Sequence, residues 1–241
     1  MFVPTVLVDV GNTRTDWCME YDDEPGEFSP PEHISTQALL DRRAGFPDSW
    51  RFSRVIVASV VPQIDVQLQK SQLLELKLVT RQDYPQIKLG VDHPDEVGID
   101  RIINVAAARE IAKKLPLVVV DFGTATTFDV LDASSTYLGG VIAPGIGLSR
   151  DILNERTAKL PKIEIFRPVH VIGHNTVDAM ASGLIRAYEA MVEGMLLQIE
   201  KELGTSAELV LTGGYTELVK LERPSRIIPY LCFEGLKQLC R

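Results

Sequence analysis

The stretch Val6-Leu7-Val8-Asp9-Val10-Gly11-Asn12-Thr13 returns in altered form as Val118-Val119-Val120-Asp121-Phe122-Gly123-Thr124-Ala125. Each copy is a short apolar run rich in β-branched residues, closed by Asp-x-Gly and small hydroxyl or amide side chains. Such a run reads as a buried strand, and the glycine permits the tight turn and close backbone approach that follow it. Strand-like stretches come next, Asp16 to Tyr21 and Phe128 to Leu131, so each copy opens as a hairpin rather than a strand-to-helix unit. The echo predicts an α/β protein of two similar lobes, residues 1–116 and 117–241.

Working outward, Asp22 to Pro31 reads as an exposed turn, Arg54 to Val61 as an interior strand and Gln63 to Leu76 as a helix. After Val97-Gly98-Ile99-Asp100-Arg101, the residues Ile102, Ile103, Ala106, Ala107 and Ile111 recur at helical spacing, which puts Asp100 at a helix start. Gly139 to Gly145 is too glycine-rich to read as one regular element, and a helix over Leu148 to Glu155 follows. From Thr176 to about Lys201, Val177, Met180, Leu184, Tyr188, Met191, Met195 and Ile199 make one apolar helical stripe. That stripe reads as core or subunit interface, and its length suggests a homodimer. Leu209 to Leu211 with Thr212-Gly213-Gly214 repeats the strand-then-glycine theme, and a short helix ends the chain.

At 241 residues and 45% hydrophobic content the chain can bury a substantial core. Acidic residues outnumber basic ones by 33 to 25, for a net charge of −8, and no Lys/Arg run forms a positive patch. Nucleic acid and anionic membranes are therefore poor partners. No apolar run reaches the roughly 18 to 20 residues needed to span a bilayer. The N-terminal MFVPTVLVDV reads as a strand rather than an export signal. Cys18, Cys232 and Cys240 make no C-x-x-C pair. A cytoplasmic location is the expectation.

Phosphate handling needs converging backbone N–H groups, carboxylates for hydrated Mg²⁺ and small residues that let phosphates come close. Both Asp-x-Gly turns meet that description, with Asn12, Thr13, Thr124, Thr126 and Thr127 adding neutral donors. One Asp-Gly turn is common in hairpins; two in matching contexts are not. Walker-type and dinucleotide glycine motifs are absent, as are dense His/Cys clusters. Asp100 reads as a helix N-cap whose carboxylate could also accept a hydroxyl proton, with a pKa lowered by the helix dipole. Arg101 can fork onto a substrate carboxylate or pair with a surface acid. Asn175 or Thr176 reads as a cap of the long helix.

Asp9-Val10-Gly11-Asn12-Thr13, Gly98-Ile99-Asp100-Arg101, Asp121-Phe122-Gly123-Thr124-Ala125-Thr126, Gly139 to Gly145, Gly173-His174-Asn175-Thr176 and Thr212-Gly213-Gly214 together resemble the ordered motifs of type III pantothenate kinases. That resemblance implies two ribonuclease-H-like, actin-like ATPase lobes, mixed sheets flanked by helices, with ATP in the cleft. It implies phosphorylation of pantothenate to 4′-phosphopantothenate, the first step of coenzyme A synthesis. Asp100 would be the catalytic base. Gly98, Ile99, Asp100, Arg101, Val91 and Thr176 would bind pantothenate, in a homodimer. Asp9, Val10, Gly11, Asn12, Thr13, Arg14, Thr15, Asp16 and Thr124 would handle ATP. Asp9 would hold Mg²⁺ through water, and Asp121 a monovalent cation, K⁺ or NH₄⁺. Many relatives carry Tyr-x-Asn-Pro where this chain has Val91-Asp92-His93-Pro94, and some carry lysine where it has Asp16. The alternatives are a non-catalytic nucleotide-binding regulator of the same fold and a kinase of another small hydroxy or carboxylic acid.

Overall fold

The computed structural model describes residues 3–21, 24, 26–41 and 46–240. The chain forms two compact units. Unit 1 takes Met1–Ile87, His93–Ala107 and Leu231–Arg241, and unit 2 takes Lys88–Asp92 and Ala108–Tyr230.

Unit 1 is built on strands β1 (Thr5–Val10), β2 (Arg14–Met19), β3 (Glu32–Ser35), β4 (Arg54–Ser59) and β5 (Glu75–Leu78), in the order β3-β2-β1-β4-β5. The β1–β2 and β2–β3 pairs are antiparallel, and β4 and β5 add in parallel. Val6, Leu7 and Val8 are fully buried, as are Val55, Ile56 and Val57 of β4. A central strand covered on both faces has no polar alternation, which is why the apolar run was legible. Helices α1 (Thr36–Leu40) and α2 (Pro62–Lys70) accompany the sheet. The expected helix to Leu76 ends early: the Ser71 amide closes onto the Leu68 carbonyl at 3.0 Å, and Leu76 pairs with Val55 in β5. The expected turn at 22–31 falls partly on Asp22, Asp23 and Pro25, outside the described residues; beside them Phe28 bridges Glu20.

Unit 2 repeats this plan with β7 (Leu117–Phe122), β8 (Ala125–Leu131), β9 (Thr136–Pro144), β10 (Glu208–Thr212) and β11 (Arg226–Ile227). Its sheet order β11-β10-β7-β8-β9 matches unit 1 strand for strand, and β6 (Lys88–Leu89) pairs in parallel on the outer side of β9. Both sheets are mixed. β1 and β7 share one burial pattern, in which only the aspartate is partly exposed.

Gly139 to Gly145, expected to be irregular, lies largely within the single strand β9. Its glycines are held by pairing from Ala125 opposite Pro144 to Val130 opposite Gly139, where the register shifts. Gly139, at φ +101°, takes a backbone conformation that a side chain would strain.

Helix α3 (Ile99–Ile111) carries Asp100 in its first turn. Helices α4 (Ile146–Glu155) and α5 (Thr176–Leu203) belong to unit 2. On α5, Met180, Leu184, Tyr188 and Ile199 join the unit 2 core, with Met191 and Met195 packed against it. Asn175 caps α5, its side chain accepting from the Asp178 amide at 2.9 Å. Helix α6 (Leu231–Lys237) returns to unit 1, where the Tyr84 hydroxyl donates to the Gly235 carbonyl at 2.9 Å. No helix among the described residues is long and apolar enough to cross a membrane.

Candidate active site

In unit 1 the first Asp-x-Gly turn joins β1 to β2. Asp9 is partly exposed, Val10 is buried, and the tip residues Asn12, Thr13 and Arg14 are exposed. The register sets Asp9 opposite Asp16 and Val10 opposite Thr15. The Gly11 amide closes the turn onto the Arg14 carbonyl at 3.0 Å. Thr36, at the start of α1, holds the turn from outside. Its amide donates to the Thr13 carbonyl at 3.0 Å, and its hydroxyl donates to the Gly11 carbonyl at 2.7 Å. That hydroxyl also meets Thr15 Oγ1 at 3.0 Å, and Thr15 is fully buried.

Arg14 Nε donates to the Asp16 carboxylate at 2.8 Å. Burial raises the Asp16 carboxyl above its usual range, and the Arg14 guanidinium opposes that rise. The aspartate at residue 16 thus comes paired with a cation on the same strand.

Asp100 is the second residue of α3 rather than its cap. The Gly98 carbonyl accepts from the Arg101 and Ile102 amides at 3.2 and 3.4 Å, while the Asp100 carboxylate accepts from the Arg101 amide at 2.9 Å. The expected lowering of its pKa is reversed: burial holds the carboxyl above the ordinary range, and the Arg101 amide and guanidinium counter it only in part. Desolvation disfavours the ionised form, which makes the carboxylate a better proton acceptor. A β-carbon at Gly98 would fall on a carboxylate oxygen of Asp100 and lie 3.9 Å from Val60 Cγ1. The Val60 amide in turn donates to the Val10 carbonyl at 3.1 Å. Within unit 1, the Gly98–Arg101 motif and the Asp9 turn are therefore linked through one residue.

In unit 2 the second turn is one residue shorter, with three residues between Phe122 and Thr126 where the first has four between Val10 and Thr15. Asp121 lies opposite Thr127 and Phe122 opposite Thr126, and the Gly123 amide donates to the Ala125 carbonyl at 3.1 Å. Two glycine motifs close around it. The Gly145 amide donates to the Thr124 carbonyl at 3.1 Å, and a β-carbon at Gly145 would run into the carbonyls of Gly123 and Thr124. Gly213, at φ +95°, lies so close that a β-carbon would stand 2.6 Å from Phe122 backbone atoms and press on the Asp121 carboxylate. Thr124 is exposed. Thr126 is fully buried beside Tyr188, and Thr127 donates to Asp129 at 3.0 Å, so both hydroxyls are engaged within the unit. Val91 is partly buried in unit 2, 3.4 Å from where a Gly139 β-carbon would sit. Thr176 is exposed at the first position of α5.

The donor set fits hard cations. Mg²⁺ keeps several waters and takes one or two carboxylates plus substrate phosphates, so it needs no dense cluster. Among the described residues, no group of three or more His, Cys, Asp or Glu gathers at one point. The Asp121 carboxylate beside Gly213 occupies a cradle that a β-carbon would fill. The sequence reading missed Thr36 and Tyr188, which touch the turns from distant positions; no local motif announces them.

Residues 5–198 match the family described as type III pantothenate kinase. A type III pantothenate kinase of Myxococcus xanthus is 40% identical, with 96% of each chain covered. One from Dehalococcoides mccartyi is 44% identical, covering 86% of this chain and 81% of its own. Among solved structures, a Campylobacter jejuni protein described as a Baf family transcriptional activator superposes with a TM-score of 0.63 at 20% identity, over 97% of this chain and 96% of its own. An archaeal actin homolog superposes at 0.51 with 12% identity, over 98% of each chain. These two likenesses concern the fold, which is that of the actin-like ATPases and sugar kinases. With a motif order that runs from Asp9 to Gly214 and a family match over most of its length, the chain belongs to the type III pantothenate kinase family.

Proposed function

We propose that the protein phosphorylates pantothenate with ATP, giving 4′-phosphopantothenate at the entry to coenzyme A synthesis. The observation that carries this reading is Asp100: a partly buried carboxylate of raised proton affinity, given room by the missing side chain of Gly98, which neighbours Val60, whose amide donates to the Val10 carbonyl of the Asp9 turn.

In the reaction, the Asp100 carboxylate accepts the proton of the acceptor hydroxyl. The hydroxyl oxygen forms its bond to the γ-phosphorus as the bond to the β,γ-bridging oxygen breaks, and ADP leaves with that electron pair. Phosphoryl transfer passes through a loose transition state, so positioning and charge stabilisation carry most of the catalysis. Arg101, next to the base, is assigned to the acid's oxygens, with Gly98, Ile99, Val91 and Thr176 completing the pantothenate site in a homodimer. The turn of Asp9, Val10, Gly11, Asn12, Thr13 and Arg14 cradles phosphate, with Asp16 holding Arg14 and Thr15 holding the turn from below; Thr124 serves from the second turn. Asp9 would hold Mg²⁺ through water and Asp121 would hold the monovalent cation, K⁺ or NH₄⁺; such cations would offset the negative charge of the triphosphate. These are reactions of cytoplasmic metabolites, and the cytoplasm is the proposed location.

The test is ADP release by purified protein with ATP, Mg²⁺ and pantothenate, with K⁺ exchanged for Na⁺. The expected result is turnover that requires pantothenate and K⁺. Equal ADP release without pantothenate rejects the acceptor, and equal rates in Na⁺ reject the monovalent site at Asp121.

A further inference from the structure

Each Asp-x-Gly hairpin carries one buried threonine at the same register position, opposite the residue that follows the aspartate: Thr15 opposite Val10 and Thr126 opposite Phe122. Both are fully buried, and a buried hydroxyl requires a partner. In each unit the partner is a hydroxyl from a helix outside the hairpin. Thr36 of α1 meets Thr15 at 3.0 Å and donates to the Gly11 carbonyl at 2.7 Å. Tyr188 of α5 meets Thr126 at 2.7 Å and donates to the Pro144 carbonyl. The next residue, Gly145, donates its amide to the Thr124 carbonyl at 3.1 Å. Both devices run from helix hydroxyl to buried threonine and on to the backbone that shapes the turn. The two helices occupy the same place in the repeated plan, between the third and fourth strands of each unit, yet the hydroxyl comes from threonine in one and tyrosine in the other.

We propose that Thr36 and Tyr188 are positioning residues that hold the two phosphate turns in the shape that receives nucleotide. The inference rests on the kinase reading above and adds to it the groups that preorganise its turns. A loop of small residues has many conformations to lose, and a turn fixed beforehand binds more tightly because that ordering is already done. Tyr188 suits the role because its ring walls an apolar cavity of about 480 Å³ with Leu148, Ile152 and Leu184. The ring is otherwise buried in the unit 2 core, so the hydroxyl bonds add direction to a side chain that packing already holds. Neither residue touches the reacting atoms in this assignment; each acts through a threonine.

The test measures binding of a non-hydrolysable ATP analogue with Mg²⁺ by calorimetry on the full chain, alongside steady-state kinetics and thermal melting. Tyr188→Phe and Thr36→Val are expected to weaken nucleotide binding about tenfold, the scale of one to two lost hydrogen bonds. KM for ATP should rise while KM for pantothenate stays within about twofold, and Thr36→Ser should restore binding. Val192→Ala, a truncation elsewhere on buried α5, should lower the melting temperature without changing nucleotide affinity. Unchanged nucleotide affinity in folded Thr36→Val and Tyr188→Phe overturns the proposal, as does an equal loss in Val192→Ala. If Tyr188→Phe fails to fold, failure of Thr36→Ser to recover the affinity lost in Thr36→Val overturns it too. Because nucleotide binding is read without any acceptor, a protein that phosphorylates a different acid would sink the pantothenate reading and leave this result standing.

Discussion

The carboxylate of Asp100 occupies the space that a side chain at residue 98 would need. The Gly-x-Asp-Arg spacing thus has a steric cause: the glycine leaves the acid room to turn back toward the Arg101 amide, which it meets at 2.9 Å. In Gly98→Ala the flexible carboxylate yields and the fold survives. Misplacing a reacting group by about an ångström costs on the order of a hundredfold in rate. We expect kcat to fall about ten- to a hundredfold with a melting temperature close to wild type. Steady-state kinetics beside a melting curve measures both, and an unchanged kcat would remove Gly98 from the mechanism.

Asp100 itself should separate activity from stability. Its ionised form is disfavoured by burial, so the folded state holds the proton more tightly than the unfolded chain. The stability tied to that proton is complete below the unfolded carboxyl range and is lost as pH rises through the raised folded value. Asp100→Asn carries no charge, and at about pH 8 it should melt at or above the wild-type temperature while losing about 10²- to 10⁴-fold in kcat. In wild type, kcat/KM should fall on acidification within a window above the ordinary carboxyl value of about 3.9. A clear drop in the melting temperature of Asp100→Asn would contradict the burial argument.

Gly213 and Gly194 should respond to alanine in opposite directions. Gly213 sits at φ +95° against the Phe122 backbone, whereas a β-carbon on Gly194 of α5 meets nothing within 4 Å. Gly213→Ala should destabilise by about 1–3 kcal/mol, since neither the dihedral nor the backbone neighbour can yield. Gly194→Ala should stabilise by roughly 0.5–1 kcal/mol through helix propensity. Urea midpoints at constant slope provide the comparison, and the same sign at both sites would refute it.

Arg14 and Asp16 should behave as one phosphate-side device. The arginine is largely exposed and its partner is not, with side-chain exposures of 45% and 13%. Exposed substitutions of this kind change stability by about 0.5 kcal/mol or less, so Arg14→Ala should spare folding. It should raise KM for ATP about fivefold or more, on the scale of one lost charged hydrogen bond. Asp16→Asn, which keeps the shape but loosens the arginine, should give a smaller rise of the same kind. A rise in KM for pantothenate alone would move the pair to the other substrate.

The parts of this fold that were legible are those where one local rule acts alone. Val6 to Val8 and Val118 to Val120 are buried on every side, so their letters admit no polar residue. Where tertiary contacts compete, the reading failed. The helix projected to Leu76 stops because β5 claims Leu76 as the partner of Val55, and Gly139 to Pro144 became strand because β8 supplies the order that glycine lacks. Asp100 was placed at the helix start correctly, but its proton affinity depends on burial, which no spacing reports. Thr36 and Tyr188 lie 21 and 62 residues from their threonine partners, beyond the reach of any local pattern.

The return of α6 to unit 1 has a temporal consequence. Gly235 of that helix lies so near Ile103 of α3 that a β-carbon would stand 2.8 Å from the Ile103 carbonyl oxygen, and Leu231 and Leu236 are fully buried. Chains are synthesised from the N-terminus at about 5–20 residues per second. The body that emerges first from the ribosome must therefore wait, its α3 flank uncovered, until residues 231–237 arrive to seal it.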